Sequence, residues 1–242
     1  MIGAVLFDLD ATLVDDGVNW RHSIQETLQI ICDRHPGVEI EEVRKTFRAC
    51  AGSVWEEIRG VESPPWGNMD DEQIVLRLWR DTLGQIDVAD EKTLHQAASH
   101  YLQLRSAGAP AYDDARDCLK QLSSTYRLGV VTNGSLSQQE PKLQISGLAP
   151  FFEVLTTTDV GFGKPQPEIF MHALNALETK PERAAYVGDS LTWDVGGANR
   201  AGMVSVWLNR NETERKPSDP EPDLVIVSMT ELPEALSGLS SD

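Results

Sequence analysis

The stretch Gly3-Ala4-Val5-Leu6-Phe7-Asp8-Leu9-Asp10-Ala11-Thr12-Leu13 decides the fold. Its apolar run, Ala4 to Phe7, is long enough for a strand buried on both faces, as the inner strands of a parallel sheet are. The run stops abruptly at two carboxylates, Asp8 and Asp10, followed by Thr12, and such an end cannot be core. In a parallel sheet ligands sit at the carboxyl ends of the strands. Asp8 and Asp10 are therefore expected together at a site.

The whole chain bounds what that site can serve. It has 242 residues, 40% of them hydrophobic, enough for one large domain or a core domain with a sizeable insertion. Formal net charge is −17, which repels nucleic-acid backbones and anionic membrane surfaces and argues against both as partners. A small anionic substrate would then need local positive help from a metal or a lysine. Cys32, Cys50 and Cys118 form no metal-ligand spacing, and their odd number fits reduced thiols in a cytoplasm. The five histidines are scattered, with no pair at ligand spacing. No basic region precedes an apolar stretch at the N-terminus, and no apolar run approaches a membrane span, so neither export nor insertion is expected.

After Leu13 the periodicity turns helical for about ninety residues, the mark of an inserted unit. Apolar faces define helices over Trp20 to Arg34, Glu41 to Ala51, Asp71 to Ile86 and Glu91 to Ala107. Between the second and third, Gly60 to Gly67 reads as an irregular loop carrying Trp66. Gly108 to Pro110 closes the insertion as a hinge or linker.

From Tyr112 strands and helices alternate. Asp113 is placed to cap a helix to about Ser124, and Leu128 to Val131 is a strand ending in Thr132-Asn133-Gly134. Helices over Ser137 to Ser146, Pro167 to Leu177 and Leu191 to Ala201 separate strands at Glu153 to Thr156, Ala184 to Val187 and Val204 to Leu208. Leu224 to Val227 is the last strand, after a polar loop over Asn209 to Pro222. This alternation predicts an α/β fold with a doubly wound parallel sheet.

Polar signatures recur where those strands end: Asp8 and Asp10, then Thr132-Asn133, then Asp189 with Asp194 five residues on. Lys164, in Gly163-Lys164-Pro165, adds a positive charge. Read singly, Thr132 caps a helix, Lys164 is a surface lysine and Asp189 is an N-cap. Read together, they lie on the one edge of the sheet where a site belongs. Acids gathered there repel and raise one another's pKa unless a cation sits among them. Mg²⁺, which favours one or two carboxylates with a phosphate oxygen and waters, matches that need.

DLDAT at Asp8, VVTNG at Val130, GKP at Gly163 and GDSLTWD at Gly188 resemble, in order and spacing, the four motifs of the haloacid dehalogenase superfamily. The resemblance covers nearly the whole chain. It implies a Rossmann-like core over residues 1–18 and 108–242, and a C1-type helical cap over 19–107. The segment WLN at Trp207 and the run after TNG are most similar to the subgroup of pyrimidine-nucleotide and N-acylneuraminate-9-phosphate phosphatases.

By that resemblance Asp8 is the nucleophile that forms an aspartyl-phosphate, a known route of covalent catalysis. Asp10 is the general acid and then the base, giving its backbone carbonyl to the metal. Thr132, with Asn133 and Gly134, holds phosphate oxygens. Lys164 neutralises the phosphoryl group and pairs with Asp8. Asp189 ligates Mg²⁺ beside Asp8, and Asp194 acts from behind. Asp8, beside metal and lysine, is expected to stay ionised, whereas Asp10 points away from the metal and holds a proton more easily. Trp55 on the cap is placed either to stack on substrate or to pack the cap's own core.

The implied activity is hydrolysis of a phosphomonoester of a small soluble metabolite, a nucleotide or sugar phosphate among the possibilities. Dehalogenases resemble the chain but lack an acid at the Asp10 position, since halide leaves without a proton. Phosphosugar mutases keep both acids and remain an alternative, Thr12 leaning only mildly toward a hydrolase. A receiver-type signalling module also gathers acids, a Thr and a Lys, but is shorter and lacks the helical insertion. Ala11 stands where glycine or asparagine is usual, and a methyl is small enough to fit. Asp113-Asp114 replaces a frequent Pro-Gly, a change expected to affect only a helix boundary.

Overall fold

The computed structural model describes residues 1–59 and 71–239; the side chains of residues 55–59 and 71 fall outside that description, as does the expected loop with Trp66. In chain order the elements begin with β1 (Ala4–Phe7), α1 (Asp16–Arg34), α2 (Ile40–Arg59), α3 (Asp71–Gln85) and α4 (Glu91–Ser106). There follow α5 (Asp113–Leu122), β2 (Arg127–Val131), α6 (Leu136–Ile145), β3 (Val154–Thr156) and α7 (Pro167–Ala176). Last come β4 (Ala184–Gly188), α8 (Gly196–Ala201), β5 (Val204–Leu208), β6 (Leu224–Ile226) and α9 (Leu232–Gly238).

The chain divides into two compact units, Met1–Asp16 with Ala109–Asp242, and Gly17–Gly108. The first holds a parallel sheet of order β3-β2-β1-β4-β5-β6. Strand β1 lies at its centre because its side chains are apolar toward both faces. Val5 and Phe7 pack with Leu119, Leu128 and Leu232 on one side, and Ala4 and Leu6 with Phe170, Leu174 and Tyr186 on the other. After β1 the strands are laid to one side, and from β4 onward to the other, which makes the carboxyl end of β1 the switch point where ligands bind in open α/β sheets.

Register sets the site. Phe7 pairs with Val130 on one side and Val187 on the other. The residues that follow, Asp8 and Asp10, Thr132 and Asn133, and Asp189, are therefore delivered to one edge by three adjacent strands.

The second unit is helical, and its apolar stripes meet as the periodicity requires. Ile24, Leu28 and Ile31 of α1, Val43 and Phe47 of α2, Leu78 and Trp79 of α3, and Leu94 and Tyr101 of α4 are buried. Phe47 and Trp79 stack with ring centroids 4.6 Å apart, and Tyr101 sits edge-on to Trp79 at 5.9 Å.

Three local expectations are corrected. Helix α2 does not stop at Ala51 but runs through Gly52-Ser53 to Arg59, so Trp55 lies within it. One glycine costs a helix only about 1 kcal/mol, which a buried stripe extending to Val54 outweighs. Asp113 does not cap α5; it is the first helical residue, after Tyr112, which makes no side-chain cap bond. The expected helix from Leu191 opens instead with a wide π turn, Leu191–Val195, before α8.

Candidate active site

Lys164 is the centre of the polar edge. The residue is 3% exposed, and its ammonium donates to Asp8 Oδ1 at 2.6 Å, Asp194 Oδ1 at 2.7 Å and Tyr186 Oη at 3.1 Å. Three donors are all an ammonium has, so every one is committed. The loop that carries it is clamped to the end of β2: its backbone N donates to Asn133 Oδ1 at 2.6 Å, and Asn133 Nδ2 donates to its carbonyl at 3.0 Å. The Lys164-Pro165 peptide is cis.

Asp8, 6% exposed, also accepts from the buried hydroxyl of Thr12 at 3.3 Å. Asp194, at the π turn, accepts from Ser190 N at 2.9 Å with its second oxygen. Gly188 makes room for it: a Cβ there would lie 2.3 Å from Asp194 Cγ. The π turn and the bare glycine together bring Asp194 back over the strand end, a use typical of such turns. Tyr186 Oη completes the group by donating to Val131 O at 2.9 Å.

Oxygens of Asp8, Asp189 and Asp194 lie within 4.8 Å of one another. Burial pushes the Asp8 carboxyl up to about 8; Lys164 opposes this, and Asp194 and Asp189 add to it. Asp189 is solvent-exposed at the strand end, yet the protein mass on its inner side, and then the charge of Asp194, raise it to about 6. Burial works against the Lys164 ammonium, but Asp194 and Asp8 outweigh it and hold its pKa above the ordinary value. The expectation for Asp8 rested on metal and lysine together, and Lys164 by itself does not keep its pKa low. The ammonium that Asp8 shares with Asp194 does not offset the burial of Asp8, and a cation beside it would favour the charged form.

The donor set suits a hard divalent ion: carboxylate oxygens only, no sulfur or imidazole. Asp194 has both oxygens bonded to the protein, whereas the Asp189 carboxylate is approached by its own backbone amide and its carbonyl is tied to Trp207 Nε1 at 2.9 Å.

The family profile of haloacid dehalogenase-like hydrolases matches residues 2–202, the span that contains Asp8, Asn133, Lys164, Tyr186, Asp189 and Asp194. The chain belongs to that family. Among its relatives, the glyceraldehyde 3-phosphate phosphatase of Methanopyrus kandleri is 31% identical over 247 residues, covering all of both chains. The N-acylneuraminate-9-phosphatase of Homo sapiens is 26% identical, covering 98% of this chain and 95% of that one, in line with the subgroup to which WLN and the run after TNG pointed. The fold is shared with the HAD-hydrolase YfnB of Bacillus subtilis, solved bound to magnesium, at a TM-score of 0.77 and 24% identity over 97% of this chain and 98% of that one.

In this haloacid dehalogenase-like hydrolase the expected site residues divide. Asp8, Thr132, Asn133, Lys164, Asp189 and Asp194 come together at one strand edge. Thr132 is buried, its Oγ1 3.5 Å from Gly134 N. Asp10 turns elsewhere: Lys142 Nζ of α6 donates to its Oδ1 at 2.9 Å and Oδ2 at 3.0 Å, and Gln139 Nε2 to its Oδ2 at 3.0 Å. The expectation for Asp10 had left this cation out. Trp55 contributes a backbone to α2, and its side chain lies outside the described residues.

Two further readings change. Ala11 has φ +62°, so glycine or asparagine is usual there for the left-handed backbone rather than for want of space. Asp114 does more than mark a helix boundary. It accepts from Arg210 at 2.8 and 2.9 Å, from Ser228 Oγ at 2.9 Å and from Met229 N at 2.9 Å. Arg210 also donates to Thr12 O at 3.1 Å and stacks 4.0 Å over the Tyr112 ring. Asp114 thereby ties the turn after β1 to the segments after β5 and β6.

Proposed function

We propose that the chain is a Mg²⁺-dependent phosphatase that hydrolyses phosphomonoesters of small soluble metabolites through an aspartyl-phosphate on Asp8. The observation that carries this reading is the pairing of a buried nucleophile, Asp8, with an ammonium, while a second carboxylate two residues on is held by a separate set of donors. A reaction that expels an alkoxide needs that second acid; one that expels halide does not. Relatives that act on phosphorylated metabolites support the same reading.

In the first step an Asp8 oxygen attacks phosphorus, the bond to the leaving oxygen breaks, and Asp10 gives that oxygen its proton. In the second, Asp10 takes a proton from water, the water oxygen attacks phosphorus, and the bond to Asp8 breaks to release phosphate. When Asp8 becomes an ester its charge moves onto the phosphoryl oxygens. The Lys164 donor that faced Asp8 is then already aimed at the new charge. The Thr132 hydroxyl and the backbone of Asn133 and Gly134 hold the remaining oxygens.

Asp8, Asp189 and the Asp10 carbonyl would hold Mg²⁺, which supplies charge to keep Asp8 ionised and to neutralise the phosphoryl group. Asp194, already bonded to Lys164 and Ser190, orients these from behind.

The helical unit, residues 19–107 in this reading, is a cap that excludes water and selects the leaving group, with Trp55 among its substrate-facing candidates. No helix among the described residues is long and apolar enough to cross a membrane, and Cys32, Cys50 and Cys118 are free thiols. Both fit an enzyme of soluble substrates in the cytoplasm.

A screen of the purified protein over nucleotides, sugar phosphates and small phosphoacids, with Mg²⁺ and with chelator, tests the reading. Phosphate release that requires the metal supports it, and no release from any ester contradicts it.

A further inference from the structure

We propose that Gln139 and Lys142 are positioning residues that hold the Asp10 carboxylate in its working orientation. The inference rests on the phosphatase reading, in which Asp10 moves the proton. Gln139 and Lys142 lie three residues apart on α6, so they occupy one face of that helix. Both are almost fully buried, at 4% and 2% exposure, in a position where polar side chains are costly unless bonded. Between them they bond both Asp10 oxygens, at 2.9 to 3.0 Å. A carboxylate fixed at both oxygens by an ammonium and an amide cannot rotate without breaking a buried bond.

Three features show that the arrangement is built. Gly134 lies directly beneath the Gln139 side chain, and a Cβ at that position would be 2.0 Å from Nε2. The glycine of Thr132-Asn133-Gly134 is thus needed so that Gln139 can pass over the loop to Asp10. Gln139 Oε1 is buried with no partner among the described residues, so the amide is held in place by what its nitrogen does. Lys142 is steadied in turn by Asp16, whose Oδ1 lies 3.3 Å from Nζ. The stem of Lys142 is thereby fixed between two carboxylates rather than swinging from one.

The consequence is specific to the leaving group. An acid displaced by about 1 Å loses on the order of a hundredfold in rate where its proton is needed. Aryl phosphates, whose phenolate leaves unaided, need it little in the first step; alkyl phosphates need it fully.

The test is steady-state kinetics of wild type, Lys142→Met and Gln139→Leu on p-nitrophenyl phosphate and on an alkyl ester, glycerol phosphate, with crystal structures of both variants. Gln139→Leu removes the amide donor at similar volume and leaves Lys142 in place, and it serves if Lys142→Met fails to fold. The expected result is a fall in kcat/KM, which reports the first step alone, of at least about tenfold on the alkyl ester and less than about threefold on the aryl ester. The structures should show Asp10 turned from its place. Equal losses of kcat/KM on both esters, or an unmoved Asp10 in both variants, would overturn the proposal. A wild type that hydrolyses neither ester, nor any other, counts against the phosphatase reading instead, and the structures still decide whether Gln139 and Lys142 position Asp10.

Discussion

Lys164 Nζ lies 2.6 Å from Asp8 Oδ1 and 2.7 Å from Asp194 Oδ1, so a single buried ammonium serves two carboxylates. Both ion pairs are almost free of solvent, and removing one member strands the others. Lys164→Met should therefore abolish turnover and lower stability by roughly 3–5 kcal/mol, as for other broken buried pairs. Mg²⁺ should restore more of the melting temperature in this variant than it adds to wild type, because the ion replaces part of the lost charge. Thermal melts with and without the metal check both statements, and a variant as stable as wild type without metal would refute the first.

The same carboxylates set a pH dependence. Asp8 and Asp189 are raised in the folded protein, to about 8 and about 6, from the ordinary value of 3.8. Between those limits the folded state binds more protons than the unfolded chain, so stability falls as pH rises. The contribution is fully present below about pH 4 and is lost as pH climbs through 6 and then 8. Chelated wild type should lose more melting temperature between pH 5 and pH 8 than Asp8→Asn does, and Mg²⁺ should flatten the wild-type curve. Parallel curves for the two proteins would show that Asp8 is not raised.

How much of this was legible depended on which physical signal each residue leaves. Asp8, Thr132 and Asp189 end apolar strands, and a polar residue at the end of such a run is visible because burial forbids it earlier. Gln139 and Lys142 are different. A glutamine and a lysine three apart on a helix look like a solvated face, and only the tertiary path of α6 buries them against Asp10. Tyr186 is hidden for the converse reason, since its ring satisfies the strand pattern while its hydroxyl serves the site. The π turn at Leu191–Val195 has no periodicity of its own over so short a run. Asp114 reads as a helix-start acid because its partners Arg210 and Ser228 lie about a hundred residues away, where no local pattern reports them.

Ala11 offers a test of backbone strain near the site. With φ +62° its methyl group sits in the left-handed region, which costs an L-residue roughly 1–2 kcal/mol. Ala11→Gly relieves that but loosens the unfolded chain, so a net gain of about 0.5–1 kcal/mol is expected. Denaturant midpoints of the two proteins measure it. A loss of stability would show that the strain is offset by something the methyl group packs against.

Asp114 should be a structural tie rather than a boundary marker. Burial opposes its charge, but bonds from Arg210, the Met229 amide and Ser228 outweigh this and hold its carboxyl below the ordinary range. Asp114→Ala removes all of them and leaves Arg210 half-buried without its carboxylate, a loss of roughly 2–4 kcal/mol. Because the group is lowered, its contribution is present above about pH 4 and disappears as pH falls below that. The gap in stability between wild type and Asp114→Ala should therefore narrow in acid. A gap independent of pH would mean that packing, not the ion pair, makes the difference.

The account stands on a covalent phosphoryl group at Asp8. Enzyme quenched during turnover of a phosphate ester with Mg²⁺, and treated at once with borohydride, should have its acyl phosphate reduced to the alcohol. Peptide mass spectrometry then reads which residue was modified. Conversion of Asp8 to homoserine, dependent on both ester and metal and absent from Asp8→Asn, is the predicted result; full turnover with Asp8 unmodified, or with the modification on another residue, would contradict it.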